Sequence, residues 1–302
     1  MAERDGVDRN YTVVFIHGAG HCGSTLLNLM LNAHSQAIGL SELENIHGFF
    51  SPARLERIAA GADPEKTDFW YKVFSTFEAN TGKPLLDCTS RVKPAGWTEY
   101  LDAVNAEDRR RTYEVNRQLM DAIAQVSKAR VLCDASKFLI RAHVLAGSGV
   151  PLKVIHLQRD GRGVINSFLR KGKRLQGTIG RWRQAEVGYL LLRHWLPKED
   201  VLFCRYEDLA RRPEAVVRDI CAYLDFPVQN SMTTQFGRTP HVGLSGNRMQ
   251  HTGVSEVTLD ESWRTELPRR IRYEFWLRGG YLQWITRAVA LTGKRAPGRA
   301  RP

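Results

Sequence analysis

Cysteine is scarce and scattered in this chain of 302 residues: Cys22, Cys88, Cys133, Cys204 and Cys221, with no C-x-x-C pair among them. An odd, widely spaced set excludes the disulfide framework of a small secreted domain and the common zinc-binding patterns. No stretch approaches the ~18 consecutive apolar residues of a membrane-spanning helix. The first ten residues, MAERDGVDRN, are charged where a secretory signal carries its apolar core. These absences lead us to expect a soluble, unexported protein of the reducing cytoplasm, with no membrane span and no metal. Acidic side chains are also in short supply: 32 Asp and Glu stand against 44 Lys and Arg, a net charge of +12. The excess points to an anionic partner, which composition leaves open among nucleic acid, a membrane surface and a phosphorylated small molecule.

What is present suits a globular chain, with 43% hydrophobic and 25% charged residues, enough apolar surface to bury a core. Tyr11 to His17 is a β-branched and aromatic run that ends abruptly in glycines, the pattern of a buried strand entering a turn. Ser24 to Leu31 then places Leu27, Met30 and Leu31 on one helical face. Ala37–Leu40, Val131–Asp134, Leu152–Leu157 and Val201–Cys204 read as further short strands, the last three each followed by a helical segment. Near-continuous apolar strands alternating with helices predict an α/β fold, a P-loop-type doubly wound parallel sheet flanked by helices.

Between about residues 45 and 128 the pattern changes to helices alone, around Phe69–Phe74 and Glu107–Lys128, and we read this as a helical insertion that shapes an acceptor pocket. Phe226 to Asp260 is rich in Gly, Ser, Thr and Asn and reads as a long loop, a feature usually functional in compact domains. Two more helices are expected at Glu266–Arg278 and Tyr281–Leu291. Residues 1–291 are taken as a single domain and 292–302 as a basic, disordered tail. Trp182, Trp195, Trp276, Tyr281 and Trp284 fall on or beside helical patterns and are expected to pack in the interior.

Two segments carry chemistry. Gly18-x4-Gly23-Ser24-Thr25 has P-loop spacing, but Ser24 stands where a nucleotide triphosphatase carries lysine. Backbone N–H groups of such a loop, with the positive end of the following helix, cradle a phosphate without any side chain. Transfer of a γ-phosphoryl group ordinarily also requires the lysine and Mg²⁺, so the loop predicts phosphate binding more firmly than ATP chemistry. The second segment, Leu152 to Ser167, is again a strand turning through glycines into a helix. Arg159 at the strand end and Ser167 two turns into the helix suit a second phosphate at the sheet edge where open α/β folds bind ligands. An ion pair between Arg159 and Asp160 is the plain alternative.

Taken together, these segments resemble the sulfotransferase superfamily, in particular its bacterial, carbohydrate and tyrosylprotein branch, whose donor cosubstrate is 3′-phosphoadenosine-5′-phosphosulfate. The resemblance implies that Gly20, Cys22, Gly23, Ser24 and Thr25 hold the 5′-phosphosulfate, that Arg159 and Ser167 clamp the 3′-phosphate, and that Lys171 adds a further cation. Asp134-Ala-Ser-Lys137 is similar to the D-x-S-K strand end of bacterial members. Tyr206-Glu-Asp-Leu209 with Pro213 resembles their Y-E-D-L…P element, whose Tyr lies near the adenine. Gly246-Asn247-Arg248 and Trp263 resemble the segment that closes over the nucleotide.

The chain departs from the family at His21, where relatives carry Arg or Lys. A histidinium there, or Lys137, is expected to supply the charge that offsets the leaving phosphate. Sulfuryl transfer also needs a group that takes the acceptor proton, and Glu42 matches the glutamate base of tyrosylprotein sulfotransferases. Glu44 is a neighbouring carboxylate, and His47 is the nearest histidine by position. The expected activity is sulfuryl transfer to a hydroxyl or amine of a small-molecule or glycan acceptor, without metal and without a specific nucleic-acid partner. Two alternatives stay open: a P-loop kinase using ATP and Mg²⁺ with Asp134 as metal ligand, and a non-catalytic nucleotide or nucleic-acid binder.

Overall fold

Alternate residues of the first strand enter two different cores. In the computed structural model, which describes residues 9–50, 64–92, 106–244, 249, 253 and 255–292, β1 (Thr12–His17) sends Val13 and Phe15 into one apolar cluster and Val14 and Ile16 into another. That is the two-residue period of a strand covered on both faces. The chain continues through a glycine loop into α1 (Ser24–Asn32) and β2 (Ala37–Ser41). Short turns of helix lead to α2 (Pro64–Thr81) and α3 (Ala106–Ser127). Then follow β3 (Val131–Lys137), α4 (Leu139–Gly147), β4 (Leu152–Gln158), α5 (Gly161–Leu169), α6 (Leu175–Trp195), β5 (Val201–Arg205), α7 (Tyr206–Arg211) and α8 (Pro213–Leu224). After a segment with little regular structure come α9 (Arg269–Phe275) and α10 (Leu282–Thr292), joined by a wide helical turn over Trp276–Gly280.

The five strands form one parallel sheet in the order β2-β3-β1-β4-β5. β1 lies at the centre, with β2 and β3 on one side of it and β4 and β5 on the other. The crevice at the carboxyl end of β1 is therefore the topological switch point, where this class of sheet binds ligands. One face of the sheet is covered by Trp70 and Phe77 of α2, Leu119 and Ile123 of α3, Leu145 of α4 and Tyr189 of α6. The other is covered by Leu27, Met30 and Leu31 of α1 and by Val217, Ile220 and Cys221 of α8. A third cluster joins Val164 and Phe168 of α5 to Trp182 and Phe275, whose rings meet edge to face at 4.9 Å.

The predicted strands are all present, and four run on past the expected end: β2 to Ser41, β3 to Lys137, β4 to Gln158 and β5 to Arg205. The expected insertion contributes α2 and α3, which pack against each other; its residues 51–63 and 93–105, like the tail from 293, lie outside the described residues. The aromatic residues require a correction. Trp182 is fully buried, but Trp195, Trp276, Tyr281 and Trp284 are 41%, 55%, 44% and 58% exposed. Helical spacing shows which residues share a face and not whether a neighbour covers it; α10 turns Gln283 and Thr286 inward and leaves Trp284 outside.

Candidate active site

The carboxyl ends of the strands surround a cavity of about 570 Å³ lined by the glycine loop, Glu42, Lys137, Arg159 and Tyr206. Two loop glycines are required by close approach. A Cβ at Gly18 would lie 2.6 Å from the Leu157 carbonyl oxygen. Gly23 has a φ of +97°, and a Cβ there would lie 2.6 Å from the Tyr206 ring, so a side chain is excluded both by strain and by contact. Gly23 caps α1, which has no side-chain cap and no acidic residue in its first turn. The positive end of α1 thus opens on the cavity beside Ser24 and Thr25. Cys22 differs from the expectation: its thiol is fully buried in the core and its N–H is bonded to the Ala19 carbonyl, so it shapes the loop without lining the cavity.

On the β4 side, Arg159 is nearly buried and lies over the Tyr206 ring at 4.5 Å. It donates to the His21 carbonyl at 2.9 Å and to the Asp260 carboxylate at 2.9 Å. Asp160 does not pair with it; Asp160 instead caps α5 and binds Arg162. Ser167, Arg170 and Lys171 complete this wall. The Asp260 carboxyl also accepts from Arg170 at 3.1 Å and from the Ser262 hydroxyl at 2.6 Å. Burial pushes the Asp260 carboxyl up, but Ser262 and Arg159 outweigh it and hold the group well below the usual carboxylate range.

The same cations act on His21 in the opposite sense. Burial first, then Lys171, Arg159, Lys137 and Arg170, lower its pKa to about 4, so it is neutral at neutral pH. With no anion bound, a site already crowded with cations disfavours a histidinium there. The His21 ring instead packs edge to face on Phe168 at 4.5 Å, and its backbone takes a left-handed φ of +62°.

On the β2–β3 side, Lys137 donates to Glu42 Oε1 through its ammonium and to the Ala135 carbonyl at 3.1 Å. Asn45 donates to the other Glu42 oxygen at 3.1 Å. Ser41 and Lys137 both have left-handed backbones, φ +56° and +74°, and the ladder shifts register beside each of them. Such strain in non-glycine residues persists only where the surroundings impose it, and it collects at functional sites. Here the constraint is visible. Fully buried Asp134 receives Arg141 Nε at 2.9 Å and the Ser136 hydroxyl, and Ser136 Oγ in turn accepts the Glu44 N–H at 3.1 Å. The D-x-S-K run thus ties the end of β3 to the turn that carries Glu42. Both Asp134 oxygens take part in these bonds.

The structure brings Gly20, His21, Gly23, Ser24, Thr25, Glu42, Lys137, Arg159, Ser167, Lys171 and Tyr206 to one cavity. Arg248 lies outside the described residues. His47 is directed at Thr89 Oγ1, 2.8 Å away. Trp263 belongs to the third core cluster, under the Arg162 guanidinium at 3.9 Å, and not to the cavity lining. Sequence reasoning missed Phe168, Arg170 and Asp260. Arg170 follows Ser167 by three residues and was accessible through helical spacing. Asp260 lies 101 residues from Arg159 and leaves no local signal.

A parallel α/β sheet with a P-loop-like turn at its switch point places the chain in the P-loop architectural class. Residues 13–230 match the model of the sulfotransferase family, and the chain belongs to that family. It is 28% identical over 170 residues to carbohydrate sulfotransferase 5 of Mus musculus and 26% identical over 170 residues to carbohydrate sulfotransferase 6 of Homo sapiens. Each match takes in 47% of this chain and 43% of the relative, so the chain spans less than half the length of these curated relatives. Its fold is similar to the sulfotransferase domain of the Synechococcus PCC 7002 olefin synthase, with a TM-score of 0.53 at 19% identity over 94% of this chain and 98% of that one. It is also similar to the sulfotransferase domain from the curacin biosynthetic pathway, with a TM-score of 0.54 at 21% identity over 91% and 99%.

Proposed function

We propose that the protein transfers a sulfuryl group from 3′-phosphoadenosine-5′-phosphosulfate to a hydroxyl or amine of a small-molecule or glycan acceptor. The observation that carries this reading is the Glu42–Lys137 pair facing the glycine loop across one cavity. It brings a carboxylate and a cation to the place where an acceptor must lose a proton while a phosphate gains charge.

The loop and the α1 N-terminus, with Ser24 and Thr25, hold the 5′ end of the donor, and Arg159 with Ser167 holds the 3′-phosphate. Glu42 accepts the acceptor proton as the acceptor oxygen bonds to sulfur. The bond between sulfur and the bridging phosphate oxygen breaks in line with that attack, and 3′,5′-bisphosphoadenosine leaves. Lys137 serves both ends of this exchange. Its ammonium holds the Glu42 carboxylate in place, and turned toward the bridging oxygen it offsets the charge that develops there. Lys137, which lines the cavity beside the loop, is the cation we assign to that role, and the loop with the basic side chains performs what Mg²⁺ does in kinases. All five cysteines are free thiols, which supports a reducing, cytoplasmic setting. Among the described residues, no helix is long and apolar enough to cross a membrane.

The test is thermal protection followed by turnover. Stabilisation by 3′,5′-bisphosphoadenosine without Mg²⁺, and label transfer from the phosphosulfate donor to a hydroxyl in an acceptor screen, are the expected results. Protection by ATP only in the presence of Mg²⁺ would overturn the reading in favour of a kinase. Bisphosphate binding with no transfer to any acceptor would favour a non-catalytic binder.

A further inference from the structure

The two C-terminal helices carry an apolar face that no other element covers among the described residues. On α10, Trp284, Ile285 and Leu291 are 58%, 44% and 68% exposed, while Gln283 and Thr286 are buried. An amphipathic helix of a soluble protein ordinarily turns its apolar residues inward; this one packs Leu282, Val289 and Ala290 against the core but leaves Trp284, Ile285 and Leu291 outside. α9 and the wide turn after it continue the surface with Tyr273, Trp276 and Leu277, and the Trp276 ring lies 6.0 Å from that of Tyr281. Singly exposed apolar residues are ordinary, but a contiguous patch marks an interaction site. Tyr273, Trp276 and Trp284 line one groove of about 370 Å³, and Arg162, Arg269 and Arg272 line it with them.

Charge selects the partner. From Arg269 onward the sequence has nine Arg and Lys against the single acidic residue Glu274, a net +8 of the chain's +12. Four of these cations, Lys294, Arg295, Arg299 and Arg301, follow the described residues and enter the argument only as charge. A second copy of this chain would bring like charge against like charge. A nucleic acid would match the charge but would leave Leu277, Ile285 and Leu291 without a use. Tryptophan and tyrosine beside aliphatic residues, rimmed by arginine, is the composition of a surface that lies in the headgroup layer of an anionic membrane.

We propose that this face seats the protein on an anionic lipid bilayer, with the aromatic rings at headgroup level and the arginines against the lipid phosphates. The proposal concerns binding and stands independently of the transfer reaction proposed above.

The test is co-sedimentation of the full chain with vesicles of phosphatidylcholine alone or of equimolar phosphatidylcholine and phosphatidylglycerol, read together with tryptophan emission. The expected result is binding at least about tenfold tighter to the anionic vesicles, weakened by salt and accompanied by a blue shift of the emission. W276A/W284A and R269Q/R270Q should each cut vesicle binding about tenfold at an unchanged melting temperature, since all four side chains are exposed. Equal affinity for both vesicle types, or undiminished binding by W276A/W284A, overturns the proposal. So does a wild-type dimer that W276A/W284A converts to monomer without vesicle binding, which would make the face an interface between copies. Binding to DNA or polyglutamate as tight as to anionic vesicles, and indifferent to the tryptophans, would also overturn it.

Discussion

The carboxylate of Asp260 rests on the guanidinium of Arg159, Oδ2 accepting from NH2 at 2.9 Å, and the same oxygen accepts from Arg170 at 3.1 Å. An internal anion thus occupies the cation that we assign to the donor's 3′-phosphate. A nucleotide must displace it or bind beside its negative charge. D260N should therefore tighten binding of 3′,5′-bisphosphoadenosine by about tenfold, or ~1.4 kcal/mol, as read by calorimetry. R159A should weaken binding by about 1.5–3 kcal/mol, the range for a hydrogen bond to a charged group. Weaker binding by D260N would make Asp260 an orienting partner of Arg159 rather than a competitor for it.

The Glu42–Lys137 pair separates binding from turnover. E42Q should lower kcat by about 10²–10⁴-fold, the usual contribution of a positioned base, while bisphosphate affinity stays within a few fold. K137M should lower kcat by removing the cation beside the loop, and K137R should recover part of that loss. Wild-type turnover in E42Q would remove Glu42 from the role of base.

Gly23 offers a test of the loop through its backbone. G23A meets both a φ of +97° and a Cβ position 2.6 Å from the Tyr206 ring. The substitution should cost about 1–3 kcal/mol of stability and abolish protection by bisphosphoadenosine. G82A is the control: its φ of +68° carries the same kind of backbone penalty, but a Cβ there meets nothing within 4 Å, so it should lose some stability and no nucleotide protection.

A buried cluster behind the loop sets the pH dependence of stability. His17 Nδ1 lies 2.9 Å from His156 Nδ1, and His156 Nε2 lies 3.9 Å from Glu186. Burial lowers the His17 pKa to about 3 and that of His156 well below its ordinary value, and burial raises that of Glu186 to about 7. Both histidines are therefore uncharged at neutral pH, and the His156–Glu186 approach is not an ion pair. The histidines have depressed folded-state values, so their contribution is present above the ordinary histidine pKa of about 6.5 and is lost as pH falls through their folded values. Glu186 has a raised value, so its contribution is present below about 4.5 and is lost as pH rises through about 7. The melting temperature should fall steeply in acid below about pH 4.5 and decline again toward pH 8. E186Q, whose amide oxygen still accepts from Gln158 and Thr286, should remove the second decline and gain about 2–3 kcal/mol at pH 8. An unchanged slope between pH 5 and 8 in E186Q would assign that decline to other groups.

Local order determined much of this protein before folding is considered. The five strands, the P-loop-like turn without its lysine, the Arg159-to-Ser167 spacing and the helices of the insertion follow from side-chain period and glycine placement within short windows of sequence. Those are interactions among near neighbours, and the pattern records them directly. Tertiary structure alone decided the rest. Glu42 and Lys137 are 95 residues apart and meet because β2 pairs with β3, a choice of neighbour that no strand encodes by itself. Burial first, and then Lys171, Arg159 and Lys137, lower the His21 pKa, and each of these comes from elsewhere in the fold. Asp260 finds Arg159 across a segment with no repeating pattern. Periodicity placed Trp276 and Trp284 on helices, but only the packing of those helices shows that they are exposed among the described residues. Charge and burial at a site are sums over everything that surrounds it, and a linear sequence lists those contributors without showing which of them are near.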